Sequence, residues 1–72
     1  MMLQRVTLGA LVEVEADGAH MTVRIGEHGD GSRVIGESSP LGRALLGHVA
    51  GDIVEVVAPR STWHARVLAV SA

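Results

Sequence analysis

The 72-residue sequence contains no cysteine, no lysine and one aromatic residue, Trp63. Without thiols the chain can form neither disulfide bonds nor thiolate metal sites, which favours a reducing, cytoplasmic location. With a single aromatic residue, the core has to be built from Val, Leu, Ile, Ala and Met. Six arginines against eight acidic residues leave a net charge of −2, which does not indicate binding to nucleic acid or to an anionic membrane.

Long apolar runs are also missing, since no stretch approaches the roughly 18 residues that a membrane-spanning helix needs. Hydrophobic residues nevertheless make up 47% of the chain, enough for one small core. A chain of this length forms at most one domain, whose apolar burial barely outweighs the entropy lost on folding. We therefore expect a single domain over residues 1–72.

Residues 38–47 are the only segment that indicates a helix, and signals mark both of its ends. Ser39 can cap the first free backbone N–H groups, and Pro40 suits the first helical position. Gly47 supplies the left-handed residue that ends a helix. Arg43 is predicted to point away from a buried stripe of residues that recur at helical spacing, Leu41, Ala44 and Leu45.

Alternating polar and apolar residues predict strands on both sides of this helix. Residues 10–15 and 20–25 are expected to form a hairpin, because Asp17 and Gly18 between them favour a tight turn. Residues 26–32, rich in glycine, predict a surface loop. The inward-facing residues of the hairpin are predicted to be Ala10, Val12, Val14, Met21, Val23 and Ile25.

Three further segments complete the predicted sheet. Residues 33–36 predict a short strand or an extended connection, and residues 53–57 are β-branched and predict a central strand. Residues 62–70 alternate, with Trp63, Ala65 and Val67 on one face. The order β-β-β-α-β-β predicts an α+β fold, in which a twisted, mainly antiparallel sheet of about five strands surrounds one short helix.

No residue pattern indicates catalysis or a metal site. The four histidines, at positions 20, 28, 48 and 64, form no close pair, whereas zinc sites usually draw three or four ligands from short spacings. No Gly-x-Ser-x-Gly motif surrounds a serine. Glu13 and Glu15 share one strand face, which is more typical of a solvated face than of an acid/base pair. We expect neither a cofactor nor enzymatic activity.

The start of the predicted helix is the candidate site. Ser38, Ser39, the rigid Pro40 and Arg43 one turn later can form one exposed rim. A rigid proline beside an arginine suits docking of a protein partner, because little entropy is lost on binding. A well-capped helix with a solvated arginine explains the same residues, and physical arguments alone favour that simpler explanation.

Two sequence motifs resemble the C-terminal domain of the GreA/GreB transcript-cleavage factors, in which SPLGRALLGK precedes GD and a valine-rich strand. The motifs are Ser39-Pro40-Leu41-Gly42-Arg43-Ala44-Leu45-Leu46-Gly47 and Gly51-Asp52-Ile53-Val54-Glu55-Val56. The likeness spans about residues 6–70 and makes residues 1–72 one domain of this type. It implies an FKBP-like fold, in agreement with the predicted order of elements.

In that family this domain docks on RNA polymerase at the rim of the secondary channel, and an N-terminal coiled coil carries the acidic residues that hold magnesium for RNA cleavage. The resemblance implies a docking site at Ser39, Pro40 and Arg43, with Leu41 packing behind it. Charged heptads of a coiled coil are absent from these 72 residues. The resemblance, together with this absence, therefore implies that the chain binds bacterial-type polymerase and does not stimulate RNA cleavage.

Other roles stay open. Rnk-type regulators share this fold and carry only a short arm. A stand-alone interaction module could use the exposed edge of the first or last strand. The small core also leaves open a homodimer through a sheet edge. Analogy with FKBP also suggests a peptidyl-prolyl isomerase. The pocket of such an enzyme is usually lined with aromatic side chains, and this chain has a single tryptophan, which makes the isomerase the weaker alternative.

Overall fold

The computed structural model describes residues 4–30 and 33–71, which form five strands and one helix. The predicted order of elements and the α+β class are confirmed. In chain order the elements are β1 (Leu11–Ala16), β2 (Ala19–Gly26), β3 (Val34–Gly36), α1 (Pro40–Leu45), β4 (Ile53–Val57) and β5 (Thr62–Ser71).

The strands lie in the order β3-β2-β1-β5-β4. The β1–β2, β1–β5 and β4–β5 pairs are antiparallel and the β2–β3 pair is parallel, so the sheet is mixed but mainly antiparallel. The prediction that residues 53–57 form a central strand is wrong, because β4 lies at an edge. Its β-branched residues favour a strand, but they do not determine which strands pair with it. Val54 and Val56 of β4 are buried because α1 packs against this strand.

The predicted hairpin between β1 and β2 is confirmed. Asp17 and Gly18 both have positive φ, 53° and 77°, as a type I′ turn requires. Met21, predicted to face inward, is 40% exposed. Among the described residues, β3 pairs only with the end of β2, from Arg24 to Gly26, so it gives Met21 no cover. Residues 26–30 lie in or after β2, and residues 31 and 32 of the predicted loop are outside the described residues.

A bulge interrupts the pairing of β1 with β5. Glu13 pairs with Ala69 whereas Val14 pairs with Val67, so Leu68 is an extra residue on β5. An extra residue changes the face on which the following side chains lie. Val70, three residues beyond Val67, therefore also packs against the core.

The core is entirely aliphatic in the described part of the chain, and α1 closes it on one side of the sheet. Leu45 is fully buried while Leu41 and Ala44 are partly buried against the core, which confirms the predicted helical stripe. Gly47 follows the helix with φ +86°, as predicted. The buried residues are Val6, Ala10, Val12, Val14, Val23, Ile25, Leu45, Val54, Val56, Ala65 and Val67.

The turn between α1 and β4 is closed by the carboxylate of Asp52. This carboxylate lies 2.9 Å from Nδ1 of His48 and accepts a hydrogen bond of 3.2 Å from the backbone N–H of Val49. The His48 contact, and after it the Val49 N–H, lower the pKa of Asp52 below the ordinary aspartate value of 3.8. Both interactions favour the ionised carboxylate, so the folded state binds the proton of Asp52 more weakly than the unfolded state.

We expect Asp52 to stabilise the fold fully above its unfolded pKa of 3.8, and this contribution to be lost as the pH falls through the lower, folded pKa. Asp52→Asn should remove that part of the acid sensitivity. Urea unfolding of the wild type and of Asp52→Asn between about pH 2 and pH 6 measures how the unfolding free energy depends on pH. Asp17→Asn in the exposed hairpin turn is the matched control. Equal acid sensitivity of the wild type and Asp52→Asn would refute this role.

Candidate docking site at the start of the helix

Ser39 attaches the start of α1 to the end of β3. Its backbone is extended, with φ −72° and ψ 160°, and its Oγ accepts a hydrogen bond of 3.1 Å from the N–H of Gly42. The same hydroxyl donates a bond of 2.7 Å to the carbonyl oxygen of Gly36. The predicted N-cap is therefore confirmed, and the hydroxyl proton of Ser39 is used within the fold.

Gly42 lets the helix approach β3 more closely than any other residue would. It is buried, and a Cβ at this position would overlap the carbonyl oxygen of Gly36. Sequence reasoning missed this contact, because it joins two segments that no local pattern connects. The first turn of α1 is consequently held in one position relative to the sheet.

Ser38, Pro40 and Arg43 are the exposed members of the predicted rim, whereas Ser39 is partly buried. Pro40 occupies the first helical position, as predicted, and its ring faces solvent. The Arg43 guanidinium has no hydrogen bond or ion pair with any described residue. Leu41 is partly buried and packs against the core. The structure thus places a rigid ring and an exposed cation on the surface of a fixed helix start.

Two clefts flank Pro40. The first, called the Trp63 cleft below, has a volume of about 390 Å³ and is almost wholly apolar. The second has a volume of about 270 Å³ and is lined by Pro40, Arg43, Ala44, Glu55 and Val57. The side chains lining the Trp63 cleft, besides Ser39 and Pro40, are Val34, Ile35, Leu41, Val56, Ala58 and Trp63.

Trp63 and Ala58 are site residues that sequence reasoning did not place beside the helix start. Ala58 follows β4 and Trp63 belongs to β5, so only the folded sheet brings them next to Pro40. The one usable signal was the alternation of residues 62–70, which placed the only aromatic side chain on the inner face.

A wider groove of about 810 Å³ follows β2, and none of the predicted site residues lines it.

The histidines of the described residues lie in separate surroundings. His20 lies 3.7 Å from Glu13 and 3.4 Å from Glu15, whereas His64 lies 3.9 Å from Glu55. Within residues 4–30 and 33–71, no three His, Cys, Asp or Glu side chains are grouped so that they could hold a metal ion. In the same ranges, no helix has the length and apolar character needed to cross a membrane.

Comparison with known proteins gives a consistent set of relatives. Residues 2–72 match the family model described as transcription elongation factor GreA/GreB, C-terminal. The chain is 41% identical over 68 residues to transcription elongation factor GreA of Thermomicrobium roseum, with 90% of the chain and 44% of that protein covered. It is 34% identical over 70 residues to transcription inhibitor protein Gfh1 of Thermus aquaticus, with 88% of the chain and 45% of that protein covered.

The crystal structure of Thermus aquaticus Gfh1 superimposes with a TM-score of 0.80 at 28% identity, over 97% of the chain and 50% of the solved chain. The chain therefore spans about half the length of the relatives that it matches.

Proposed function

The chain belongs to the GreA/GreB family of transcription elongation factors, as a domain of their C-terminal type, and we propose that it docks on bacterial RNA polymerase through the start of α1. The observation that carries this proposal is the exposure of Pro40 and Arg43 on a helix start that Ser39 and Gly42 hold rigidly against β3. The rigid Pro40 ring on a fixed backbone loses little entropy on binding, which favours it as an anchor, and Arg43 adds an exposed charge beside it. Within this proposal, docking occurs at the rim of the secondary channel, in the cytoplasm.

We propose that these 72 residues regulate elongation by occupying the polymerase, and that they do not stimulate RNA cleavage themselves. The resemblance assigns cleavage to acidic residues on a coiled coil, and these 72 residues contain no such heptads. The domain should compete with a full-length cleavage factor for a paused polymerase. Magnesium-dependent cleavage above background by the purified domain would refute the second half of this proposal.

Pro40→Ala combined with Arg43→Glu tests the docking site. This variant removes the rigid ring and reverses the exposed charge, while Ser39 still caps the helix, so the fold should be retained. We expect the affinity for purified core polymerase to fall by at least about 30-fold, as for loss of interface anchors. Biolayer interferometry on the immobilised domain measures this affinity, and thermal unfolding checks that the variant is folded.

Arg66→Glu is the matched control, because Arg66 is an exposed arginine on the outer face of the sheet, away from the helix start. It should bind polymerase as the wild type does. If both variants bind like the wild type, the helix start is not the docking site. If both lose affinity equally, the effect comes from net charge.

The expectation that the first or last strand has an exposed edge is wrong, because among the described residues β1 and β5 lie inside the sheet and β3 and β4 form its edges. The homodimer through a sheet edge remains an untested prediction, and the exposed residues of β4 bear on its register. This edge strand exposes Ile53 and Val57, which are 60% and 64% accessible, on either side of Glu55. An antiparallel pair of β4 strands centred on Glu55 would place the two Glu55 carboxylates opposite each other, which is destabilising.

The isomerase and Rnk-type alternatives are also untested. A proline-isomerisation assay on a model peptide tests the isomerase alternative, and we expect no activity.

A further inference from the structure

The groove of about 810 Å³ along β2, called the β2 groove below, lies where β2 lacks a neighbouring strand. β3 pairs with β2 only over residues 24–26, so in the described part of the chain no strand lies beside residues 19–23 on that side. One stretch of sheet edge is therefore open. Around Thr22 the groove is lined by Leu11, Met21, Val23, Arg24, Arg33 and Val34.

The backbone groups that face the β2 groove belong to His20 and Thr22. On the same side of β2, the N–H of Arg24 donates a hydrogen bond of 2.9 Å to the carbonyl oxygen of Arg33. Alternate residues of a strand turn their N–H and C=O groups to the same edge, so His20 and Thr22 turn theirs to this side too. A row of backbone groups on an open edge is a template for an added strand.

The other edges of the sheet are less suited to receive a strand. The far side of β3 is covered by Asp30, whose N–H donates a bond of 3.2 Å to the Val34 carbonyl oxygen and whose carboxylate accepts one of 3.1 Å from the Val34 N–H. β4 carries the charged Glu55 at its centre. Residues 19–23, by contrast, contain no proline and no Asp, Glu, Lys or Arg, which are the residues that usually prevent edge pairing.

The β2 groove combines apolar surface with two cations. The Arg24 guanidinium is held in place, because it donates a hydrogen bond of 2.7 Å to the carbonyl oxygen of Gly9. Arg33 is exposed and forms no ion pair with a described residue. None of the described side chains that line the groove is acidic, and Met21 exposes apolar surface there. Charge complementarity therefore favours an acidic partner.

We infer that the β2 groove binds an extended segment of a partner protein in which acidic residues alternate with aliphatic ones. Backbone hydrogen bonds to His20 and Thr22 hold this segment as an added strand. Side chains alternate between the two faces of a strand, so its aliphatic residues lie beside Met21 on the inner face and its acidic residues lie towards Arg24 on the outer face. A second copy of residues 19–23 fits less well, because it brings no acidic residue to the arginines.

This inference is independent of the proposed polymerase docking. Among the described residues, Val34 is the one that lines both the β2 groove and the Trp63 cleft, and neither Pro40 nor Arg43 lines the β2 groove. A partner on β2 and a partner on the helix start therefore use different side chains.

NMR titration of the ¹⁵N-labelled domain with the peptide acetyl-Glu-Val-Glu-Val-Glu-amide tests the groove. This peptide should slow the exchange of the His20 and Thr22 amides with solvent, while the Met21 amide, which faces β1, keeps its exchange rate. The matched control is acetyl-Lys-Val-Lys-Val-Lys-amide, which should bind at least about 10-fold more weakly, because its cations meet the two arginines. Equal affinity for the two peptides, or protection of the β4 amides instead, would overturn the inference.

Arg33→Glu tests the role of charge in the β2 groove. This exposed substitution should weaken binding of the acidic peptide by about 10-fold and strengthen binding of the basic peptide, while polymerase binding stays as in the wild type. Arg60→Glu is the matched control, because Arg60 is an exposed arginine in the turn between β4 and β5, and it should bind both peptides like the wild type. If Arg33→Glu also binds the acidic peptide like the wild type, Arg33 does not select the partner and the inference is wrong.

Sedimentation velocity of the free domain tests whether a second copy occupies the groove instead. We expect the domain to stay monomeric at the concentrations used for the peptide titration. Dimers that form with rising concentration and protect the His20 and Thr22 amides, without binding of the acidic peptide, would overturn the inference in favour of a second copy.

Discussion

Gly42→Ala is expected to unfold a large fraction of the domain. The new methyl group would overlap the carbonyl oxygen of Gly36 and crowd the Ser39 hydroxyl. The carbonyl belongs to the backbone and the hydroxyl is fixed by two hydrogen bonds, so neither can give way easily. The overlap can be relieved only if the helix moves away from β3, and this movement breaks both hydrogen bonds of the Ser39 hydroxyl. We expect a loss of more than about 3 kcal/mol in unfolding free energy, which is most of the roughly 3–5 kcal/mol that the core of so small a domain supplies.

Gly47→Ala is the matched control for Gly42→Ala. Gly47 has φ +86° and no atom lies within 4 Å of the place that a Cβ would occupy, so alanine there meets only backbone strain. That strain is worth about 1–2 kcal/mol. Urea unfolding followed by circular dichroism compares the two. A loss for Gly42→Ala no larger than that for Gly47→Ala would show that the helix does not sit so closely on β3.

Leu45→Ala should destabilise the fold by about 2–5 kcal/mol, the range for a fully buried leucine replaced by alanine. Leu45 has no exposed surface and is the deepest side chain of α1, so its loss leaves a cavity between the helix and the sheet. A helix of six residues has little stability of its own and depends on this packing. Polymerase binding should be lost together with the fold.

Leu8→Ala is the control for Leu45→Ala, because Leu8 is 48% exposed and lies outside the core. It should change the unfolding free energy by no more than about 0.5 kcal/mol, as exposed substitutions usually do. Thermal and urea unfolding of both variants supply the comparison. If Leu45→Ala were as stable as Leu8→Ala, α1 would not be packed as described.

Local features of the structure could be predicted from the sequence because each depends on a few neighbouring residues. Ser39 and Pro40 start the helix through capping and a fixed φ, and Asp17 with Gly18 makes the hairpin turn through positive φ values. The alternation of residues 62–70 also placed Ala65 correctly on the buried face. In each case the determining contact lies within about four residues along the chain.

Features that depend on distant segments could not be predicted in this way. The edge position of β4 and the exposure of Met21 follow from which strands pair, and β-branched or alternating residues do not determine that. The close approach of Gly42 to Gly36 and the meeting of Ala58 with Trp63 beside Pro40 are also tertiary. The candidate site was therefore predicted only as far as it lies on α1.

The two explanations of the helix start that the sequence left open are compatible in the structure. Ser39 acts as a cap, with its hydroxyl bonded to Gly36 and Gly42. Pro40 and Arg43 take no part in that cap and face solvent. The same motif can thus stabilise the helix through one residue and offer a docking rim through the next ones, as we propose.

Cross-saturation NMR tests the proposed docking most directly. Saturating unlabelled core polymerase and detecting the deuterated, ¹⁵N-labelled domain reports which amide and indole groups lie against the partner. We predict signal loss at the amides of Leu41 and Arg43, at Ala58 and at the indole of Trp63, with Thr22 on the outer sheet face unaffected. Signal loss confined to the outer sheet face or to β2, with the helix start unaffected, would contradict docking through α1.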